Sequence, residues 1–354
     1  DAPLMSRDYY LNIIDWGKAN ILVVALGRYV YLWNADTHLT ELLSEERGNE
    51  YPCSVAWSQD GKSIAVGYSC SKIQLFDCET LRPVRKFKIC FTDGHHKRVA
   101  SVAWNGHNLT SGSRDRIINQ DVRARNSIGC NIKPHRGEVC GLKWSTTGRY
   151  LATGANDHRV YIWDASKMRS KQDYTLCFDE HCAAVKALAW CPFDHNVIAS
   201  GGGTEDGCVK VWNLKNGRCI SNFDSRSQAS FFFFFSTWAL ILKSILCELF
   251  RQICGLQWNR HHKEIVSAHG YGHEDYRNRL CLLKYPSMSC IWESPQQRAR
   301  VLHLSQSPDG LSAVSAVEDA TIRFWEVFGP PATDCRSSNS SFESLLSLTA
   351  TPLR

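Results

Sequence analysis

Three sets of residues along the chain have the composition of a hydrolytic triad, which combines a serine or threonine with a histidine and an aspartate. They are His95, Ser111 and Asp115; His135, Thr153 and Asp157; and His181, Ser200 and Asp206. An active site occurs once in a chain, whereas these sets recur at a regular interval. Recurrence is typical of internal hydrogen-bond networks that satisfy buried polar groups. We therefore interpret the sets as structural and predict no catalytic residue.

Cysteine is frequent, with sixteen residues, but no two cysteines have the Cys-x-x-Cys spacing of a zinc or redox site. The densest group of metal-binding residue types is Cys177, His181, Cys182 and Cys191. Because His181 already belongs to a repeated set, we predict no metal site and no cofactor. Without a recognisable secretory leader, the cysteines indicate reduced, mostly buried thiols of an intracellular protein.

The overall charge argues against a nucleic-acid-binding protein. The chain has 41 basic and 35 acidic residues, a net charge of +6, and no dense basic run. Its 354 residues are 44% hydrophobic, which is enough for a large core. The modest positive charge is compatible with weak attraction to acidic partners.

A repeat of about 40 to 45 residues must position the polar sets. It is clearest in "SVAWSQDGKSIAVGYSCSKIQLFD", "GLKWSTTGRYLATGANDHRVYIWD", "ALAWCPFDHNVIASGGGTEDGCVKVWN" and "HLSQSPDGLSAVSAVEDATIRFWEV". Each segment reads as three strands joined by tight turns, the third ending near Trp-Asp. The tryptophan position falls at Trp33, Phe76, Gln120, Trp163, Trp212, Leu283 and Trp325. Seven repeats predict an all-β fold, a seven-bladed WD-repeat β-propeller.

The repeats divide the chain into three parts. We expect a truncated N-terminal arm over residues 1–12, the propeller over 13–328 and a disordered tail over 329–354. The seventh repeat supplies only three strands, so its closing strand must come from the arm or the tail, or be missing. Gln297 stands at the histidine position of this repeat, which predicts a blade that is held less firmly.

One interval between repeats is too long, and it contains "SQASFFFFFSTWALILKSILCELFRQICGLQW". Excising residues 229–252 restores the period. Residues 231–250 could span a bilayer by length, but Lys243 and Glu248 interrupt them, and a span would thread one closed ring through a membrane. We do not expect membrane insertion. A phenylalanine run implies pyrimidine-rich coding sequence, so we interpret 229–252 as a retained intron; the rival is a surface loop with unusual apolar exposure.

Several segments together resemble the Fizzy family, the mitotic activator and substrate-receptor subunits of the anaphase-promoting complex. They are "DAPLMSRDYYLNIIDWGKANILVVALGRYVYLWNA", "EVCGLKWSTTGRYLATGANDHRVYIWD", "AVKALAWCPFDHNVIASGGGTEDGCVKVWN" and "KYPSMS". The resemblance covers residues 1–328 apart from the interrupting segment, and is stronger to the Fizzy branch than to the Fizzy-related branch. It implies a non-catalytic adaptor that captures degrons and presents them to a ubiquitin ligase.

The family holds the destruction box between the first and last blades, where an acidic side receives the degron arginine and an apolar pocket its leucine. The resemblance implies that Ile13, Ile14 and Asp15 of "IIDW" take these roles. In an alternating strand, one of the two isoleucines should belong to the core. In the last blade Asp319 matches the family, while Ala320 stands where a glutamate is usual, which predicts weakened destruction-box binding.

The family reads the Lys-Glu-Asn box on the top face of the ring, and the matching positions are Asn156, Thr204 and Arg300. Arg300 would pair with the degron glutamate. His158 stands where a second asparagine is usual, and Asn156 could equally be a turn residue. The terminal Leu353-Arg354 resembles the dipeptide by which the family docks to the ligase.

The implied partners are core subunits of the anaphase-promoting complex, degron-bearing substrates such as cyclins, and spindle-checkpoint proteins. By resemblance the protein would act in nucleus and cytoplasm. One alternative is a degenerate paralogue with weak or no degron binding, since Ala320, His158, Gln297 and the segment 229–252 all depart from the family. Others are a generic WD-repeat scaffold and, least supported, an enzyme, because the chain has no nucleophile elbow, phosphate loop or metal cluster.

Overall fold

Each sequence repeat folds into one antiparallel sheet, because its apolar segments are joined by turns too short for anything except hairpins. The protein is described here by a computed structural model. It describes residues 1–87, 94–114, 116–124, 128–225, 252–270 and 278–329. These ranges contain 27 strands arranged in seven sheets, which we number as blades one to seven in chain order.

The first four blades each have four strands that pair in chain order. Blade one contains β1 (Ile14–Trp16), β2 (Ile21–Leu26), β3 (Tyr29–Asn34) and β4 (Thr40–Glu45). Blade two contains β5 (Pro52–Trp57), β6 (Ser63–Tyr68), β7 (Ile73–Asp77) and β8 (Pro83–Phe87). Blade three contains β9 (Val99–Asn105), β10 (Asn108–Ser113), β11 (Ile117–Asp121) and β12 (Ile128–Ile132). Blade four contains β13 (Val139–Trp144), β14 (Tyr150–Ala155), β15 (Val160–Asp164) and β16 (Tyr174–Phe178).

Blades five and six repeat this order, while blade seven has three strands among the described residues. Blade five contains β17 (Val185–Trp190), β18 (Val197–Gly202), β19 (Cys208–Asn213) and β20 (Arg218–Asp224). Blade six contains β21 (Gln252–Trp258), β22 (Glu264–Gly270), β23 (Leu280–Lys284) and β24 (Ser289–Glu293). Blade seven contains β25 (Val301–Gln306), β26 (Ser312–Val317) and β27 (Thr321–Glu326).

The first strand of each blade faces a central channel, and neighbouring first strands lie side by side around it. The ring is closed where β1 packs on β25, since the backbone N–H of Trp16 donates to Ser305 Oγ at 3.2 Å. The inner strands are almost wholly buried, as in β5 and β17, because each packs against the inner strands of the two neighbouring blades. The predicted seven-bladed WD-repeat β-propeller is confirmed.

The tryptophan position of every repeat lies on the third strand of its blade, as predicted. Trp163 and Trp212 are fully buried between blades. The two positions without an aromatic residue keep the same cross-strand pairing, Gln120 with Leu109 and Leu283 with Ile265. The strand pattern therefore survives loss of the tryptophan.

Blade seven leaves the outer edge of β27 without a fourth strand among the described residues. The N-terminal arm does not pair along β27; it joins the β26–β27 turn through Ala2 N–H, which donates to the Ala320 carbonyl at 2.7 Å. Residues 330–354, which include most of the predicted tail, lie outside the described ranges. Ring closure thus rests on inner-strand packing and on contacts between side chains and the arm, and not on a fourth strand of blade seven among the described residues.

The interrupting segment falls between blades five and six. β20 ends at Asp224 and β21 begins at Gln252, and residues 226–251 lie outside the described ranges. Gln252 is buried and pairs with Gly270, so the last residue that we assigned to the segment belongs to the propeller. In the parts of the chain that are described, no helix is long and apolar enough to cross a membrane.

Candidate functional site

The repeated polar set of blade five is assembled as a buried chain of hydrogen bonds. His181 Nδ1 donates to Asp206 at 2.5 Å, and the Ser200 hydroxyl lies 2.7 Å from His181 Nε2. The indole N–H of Trp212 donates to the same hydroxyl at 2.7 Å. Although burial opposes it, the hydrogen bond from His181 lowers the pKa of Asp206, so the carboxylate stays ionised. The network ties the blade's loop, second strand and third strand together.

The same arrangement in blade four excludes a hydrolytic role for these sets. His135 contacts Asp157 at 2.9 Å and Thr153 at 2.9 Å, and Trp163 donates to the Thr153 hydroxyl at 3.2 Å. Thr153 and Ser200 are completely buried, so neither hydroxyl can reach a substrate. Since both ring nitrogens of His181 are engaged in blade five, that histidine is also not a zinc ligand. The structural interpretation of the sets is confirmed.

The network of blade three is described only in part, and that of blade seven is altered. His95 Nε2 lies 2.8 Å from Ser111 Oγ, while Asp115 is outside the described residues. In blade seven Trp325 donates to Ser315 at 2.8 Å, as in the complete sets. Gln297 is 1% exposed, and neither its amide nitrogen nor its amide oxygen has a hydrogen-bond partner among the described residues. Blade seven is therefore less firmly tied, as its sequence predicts.

The N-terminal arm lies across one mouth of the channel. We call this side the upper face; it carries the links between blades and the turns from second to third strands. Asp8 accepts from Arg98 of blade three at 2.5 Å, and the Arg7 carbonyl accepts from Arg300 beside blade seven at 2.8 Å. The phenol of Tyr9 lies within 3.4 Å of the carbonyls of Ala184 and Ile253, beside blades five and six. The arm thus caps the ring rather than extending from it.

The arm continues into the channel wall before blade one begins. Asn12 donates from its side-chain amide to the carbonyls of Ala100 and Cys140, each at 2.8 Å. Its backbone pairs with β5, where the Val55 N–H donates to the Asn12 carbonyl at 2.8 Å. Asn12 therefore fixes the arm to blades two, three and four by hydrogen bonds that water cannot easily replace.

The three residues predicted to read a Lys-Glu-Asn box all lie on the upper face, in two hairpin turns and one link between blades. Asn156 is exposed in the β14–β15 turn and accepts from the Tyr10 phenol at 2.9 Å. Thr204 is half-buried in the β18–β19 turn. Arg300, in the link before β25, donates from Nε to Glu318 at 2.9 Å. The arm contacts both Asn156 and Arg300, a relationship that sequence alone did not predict.

A pocket of about 380 Å³ opens beside Asn156. It is lined by Tyr10, Arg114, Arg136, Gly137, Glu138, Asn156 and Asp157. Glu138 is bound to Arg98 at 2.6 Å and Asp157 to His135, whereas Arg114 and Arg136 are exposed. The pocket can accept a polar peptide side chain, and the exposed guanidinium groups of Arg114 and Arg136 make its opening positively charged. Its arginines were missed because single arginines in turns give no signal in sequence.

The channel below the arm is a cavity of about 350 Å³. The Lys186 ammonium donates to the Leu302 carbonyl at 2.9 Å and lies 3.1 Å from His303 Nδ1 and 5.4 Å from the Tyr9 ring centre. Burial lowers the pKa of Lys186 to about 8 and moves the pKa of His303 well below its usual range. The ammonium of Lys186 and the neutral imidazole of His303 thus lie side by side in the wall of the channel.

The "IIDW" residues predicted for the destruction box are largely inaccessible. Ile13 is 1% exposed and Ile14 is 8% exposed. Strand alternation predicted that one of the two isoleucines would belong to the core, and in the structure both do. The Asp15 carboxylate lines the channel and accepts from the backbone N–H groups of Trp57 at 2.8 Å and Trp16 at 3.1 Å. Burial raises the pKa of Asp15 in spite of these bonds. Its carboxylate links blade one to blade two.

The acidic residues at the start of β27 are also engaged. Asp319 accepts from the Thr321 N–H at 3.1 Å and from Arg323 at 3.2 Å, which closes the β26–β27 turn. Ala320 has a φ of 64°, in the left-handed region, and offers no carboxylate. Glu318 points to Arg300 on the upper face, away from the seam with blade one. Because Asp319 and Glu318 are both engaged, we still expect weak binding of a degron arginine at this turn.

An aromatic cluster occupies the seam between blades one and seven. The Phe324 ring lies 4.8 Å from Trp33 and 5.5 Å from Trp16, measured between ring centres. Phe324 is 36% exposed, and both tryptophans are half-buried, because β27 has no fourth strand over it among the described residues. The aromatic side chains of this seam are accessible to a ligand, whereas the side chains of Ile13 and Ile14 are buried. We missed it because Trp33 occupies the repeat position at which a tryptophan is normally buried.

The remaining site prediction, ligase docking through Leu353 and Arg354, lies outside the described residues. The described part of the molecule is a WD-repeat propeller whose complete histidine networks are structural and whose residues Asn156, Thr204 and Arg300 lie on the upper face. A propeller of this class suits the binding of peptides and partner proteins. The family model for the CDC20/Fizzy WD40 domain matches residues 1–246, and the chain belongs to this family.

Curated relatives extend the similarity over nearly the whole chain. An Arabidopsis thaliana protein named "Cell division cycle 20.5, cofactor of APC complex" is 41% identical over 97% of this chain and 70% of its own length. The Dictyostelium discoideum "Anaphase-promoting complex subunit cdc20" is 40% identical over 93% of this chain and 59% of its own length. Arabidopsis "Protein FIZZY-RELATED 2" is 37% identical over 97% and 64%.

A solved structure is similar in fold and sequence. One chain in the "Crystal Structure of Mitotic Checkpoint Complex" superimposes with a TM-score of 0.80 and 36% identity, covering 93% of each chain. The family resemblance that the sequence motifs indicated is therefore confirmed.

Proposed function

We propose that the protein is a non-catalytic adaptor. It binds degrons on its propeller and presents the substrate proteins that contain them to the anaphase-promoting complex. The observation that carries this proposal is the gathering of Asn156, Thr204 and Arg300 on one face of the ring, in a member of the CDC20/Fizzy family. An amide, a hydroxyl and a guanidinium group suit an extended polar peptide. The pocket beside Asn156 provides room for a side chain of that peptide.

The Lys-Glu-Asn box is the degron that the upper face suits best. Arg300 is held between Glu318 and the Arg7 carbonyl, so its guanidinium has a fixed direction before a peptide arrives. A degron glutamate would share this guanidinium with Glu318 in a charge-assisted hydrogen bond. Preorganisation of this kind reduces the ordering cost of binding.

The destruction box would bind at the seam between blades one and seven, with its leucine on Trp16, Trp33 and Phe324. Aromatic rings give a large apolar contact area at low entropic cost. Binding of the degron arginine would be weak, because Ala320 has no carboxylate and Asp319 is already bound to Arg323. We therefore infer that the Lys-Glu-Asn box contributes more to affinity than the destruction box.

The relatives' names and the similar solved structure support the partners of this adaptor. They are core subunits of the anaphase-promoting complex, degron-bearing substrates such as cyclins, and spindle-checkpoint proteins. We further propose action in the nucleus and the cytoplasm. Imaging of a fluorescent fusion through the cell cycle would test this location, and exclusion from both compartments would contradict it.

A fluorescent Lys-Glu-Asn-box peptide tests the function directly. It is titrated against the full chain and against a chain without residues 229–252, which leaves Gln228 in the place of Gln252 before Ile253. We expect saturable binding to the shortened chain and a loss of at least about tenfold in affinity for Arg300→Ala, because removal of a charged hydrogen-bond partner costs ~1.5–3 kcal/mol. Arg300→Lys should retain part of the affinity.

Arg298→Ala is the matched control, since Arg298 is an exposed arginine in the same link between blades. It should leave the affinity unchanged. If the shortened chain melts cooperatively but binds no peptide, the degenerate-paralogue alternative is correct. The unpartnered amide of Gln297 and the side chain of Ala320 are the observations that favour that alternative.

A further inference from the structure

Two cysteines and a glutamate meet on the outer strands of blade six. Cys281 lies on β23 directly opposite Glu293 on β24. A register shift between Leu282 and Leu283 brings Cys290 of β24 to the same place. The two sulfur atoms and one carboxylate oxygen lie within 4.8 Å of one another. Among the described residues, this is the one group of three histidine, cysteine or acidic side chains close enough to hold a metal ion together.

The distances match those of tetrahedral zinc coordination. Glu293 Oε1 lies 4.0 Å from the sulfur of Cys281 and 3.8 Å from the sulfur of Cys290. Zinc–sulfur bonds of about 2.3 Å and zinc–oxygen bonds of about 2.1 Å at tetrahedral angles place sulfur and oxygen about 3.6 Å apart. Both sulfur–oxygen distances exceed this value by less than half an ångström, and the two sulfur atoms lie within 4.8 Å of each other.

The surroundings also suit a divalent cation. Arg279 holds Glu293 through Oε2, which leaves Oε1 directed toward the sulfurs. Two thiolates and one carboxylate around Zn²⁺ leave a single negative charge, and the Arg279 guanidinium balances it. Cys281 is buried, Cys290 is half-buried and Glu293 is exposed on the last strand of the blade, so the site is open to solvent on one side.

We propose that Cys281, Cys290 and Glu293 form a Zn²⁺ site on the outer edge of blade six, with three protein ligands and one open position for water. Sequence patterns did not indicate this site, because the two cysteines are separated by a hairpin and lack a zinc-motif spacing. The ion would join β23 to β24 at the exposed margin of the ring. Its binding would stabilise the folded chain, since the unfolded chain does not hold these ligands together.

Cobalt(II) is the spectroscopic probe for this site. The full-length chain is reduced, freed of metal and titrated with Co²⁺ without oxygen. We expect about one equivalent to produce a thiolate-to-cobalt charge-transfer band and the intense visible bands of tetrahedral Co²⁺, which Zn²⁺ then abolishes. Zn²⁺ alone should raise the Tm.

Ligand variants decide whether this group is responsible. Cys290→Ser should abolish the charge-transfer band, and Glu293→Gln should weaken Co²⁺ binding by about tenfold or more. Cys290 and Glu293 are on the margin of the blade, so these variants report even if Cys281→Ser, at a buried position, fails to fold. Thermal melting checks that each variant is folded.

Blade five offers a matched control. Cys208 and Cys219 also lie on the third and fourth strands of their blade, but they belong to no such group. The double variant Cys208→Ser, Cys219→Ser should keep the cobalt spectrum. The proposal is wrong if the native chain shows no thiolate-to-cobalt band, or if that band persists in both Cys290→Ser and Glu293→Gln.

Discussion

The phenol of Tyr10 donates a hydrogen bond of 2.9 Å to the side-chain oxygen of Asn156. The arm of the chain is thereby joined to the turn of blade four that borders the pocket on the upper face. This bond directs the Asn156 oxygen toward the arm and leaves the NH₂ group free to donate to a bound peptide. The arm therefore selects the orientation of a residue that we expect to contact degrons.

Tyr10→Phe should weaken binding of a Lys-Glu-Asn-box peptide by about twofold to tenfold. The variant releases the Asn156 amide, and the lost hydrogen bond corresponds to ~0.5–1.5 kcal/mol. Fluorescence anisotropy measures the affinity. Tyr9→Phe is the control, because the Tyr9 phenol bonds to backbone carbonyls and should affect stability more than affinity. Tighter binding by Tyr10→Phe would mean instead that the arm competes with the peptide.

Phe324→Ala should weaken a destruction-box peptide by about tenfold and leave the Lys-Glu-Asn-box peptide unaffected. The change removes the ring that contacts both Trp16 and Trp33 at the seam, and such aromatic contacts contribute ~0.5–1.5 kcal/mol beyond the area they bury. Tyr174→Ala, at an exposed aromatic residue on the outer strand of blade four, is the control. Equal loss for both peptides would indicate a damaged fold.

Gln297→His should stabilise the chain by ~1–3 kcal/mol, the cost of leaving a buried polar group without a partner. Gln297 precedes Ser315 by the same eighteen residues that separate His135 from Thr153, so a histidine there can reach the serine hydroxyl. Chemical denaturation measures the free energy of unfolding. Gln297→Leu removes the unpartnered amide without restoring the network.

A double-mutant cycle with Ser315→Ala separates the two effects. If the new histidine bonds to Ser315, Ser315→Ala should cost more in the Gln297→His chain than in the native chain. Equal costs would show that the network of blade seven is not restored, even if Gln297→His is stabilising.

The positions of strands could be predicted from the sequence because hairpin patterning is local. Gln120 and Leu283 lie on third strands although neither is aromatic, since the alternation and turns around them persist. The accessibility of Ile13 and Ile14 could not be predicted in this way. Alternation exposes one face of a strand at a surface, but the inner strands of a propeller are covered on both faces by the two neighbouring blades.

Contacts between distant segments could not be predicted from the sequence for a related reason. Arg7 meets Arg300 and Tyr10 meets Asn156 only because the ring closes under the arm. The register shift that joins Cys281 to Cys290 likewise depends on one irregular residue in a hairpin. The candidate degron-binding residues were identified from family motifs. Their position on one face of the ring could be seen only in the folded structure.

The native chain should gain stability relative to a Lys186→Met chain as the pH rises from about 8 to 10.5. Burial lowers the pKa of Lys186 in the folded chain to about 8 from an ordinary value of 10.5. In this interval the unfolded chain binds a proton at Lys186 that the folded chain has released, so the contribution of Lys186 to the free energy of unfolding increases with pH. The full interval corresponds to ~3 kcal/mol. Below pH 8 both states are protonated, and the cost of the buried charge is fully present.

Lys186→Met should remove this dependence, and urea unfolding of both chains across the interval measures it. Burial raises the pKa values of the neighbouring Cys140 and Cys254 thiols from 9.0 to about 12, so these groups lower the stability of both chains above about pH 9. The effect of Lys186 is therefore read from the difference in stability between the two chains. Lys143→Met is the control, because Lys143 also lines the channel but is exposed. A constant difference in stability between the native and Lys186→Met chains would show that Lys186 keeps its ordinary pKa. Its ammonium would then be hydrated within the channel, which is large enough to hold several water molecules.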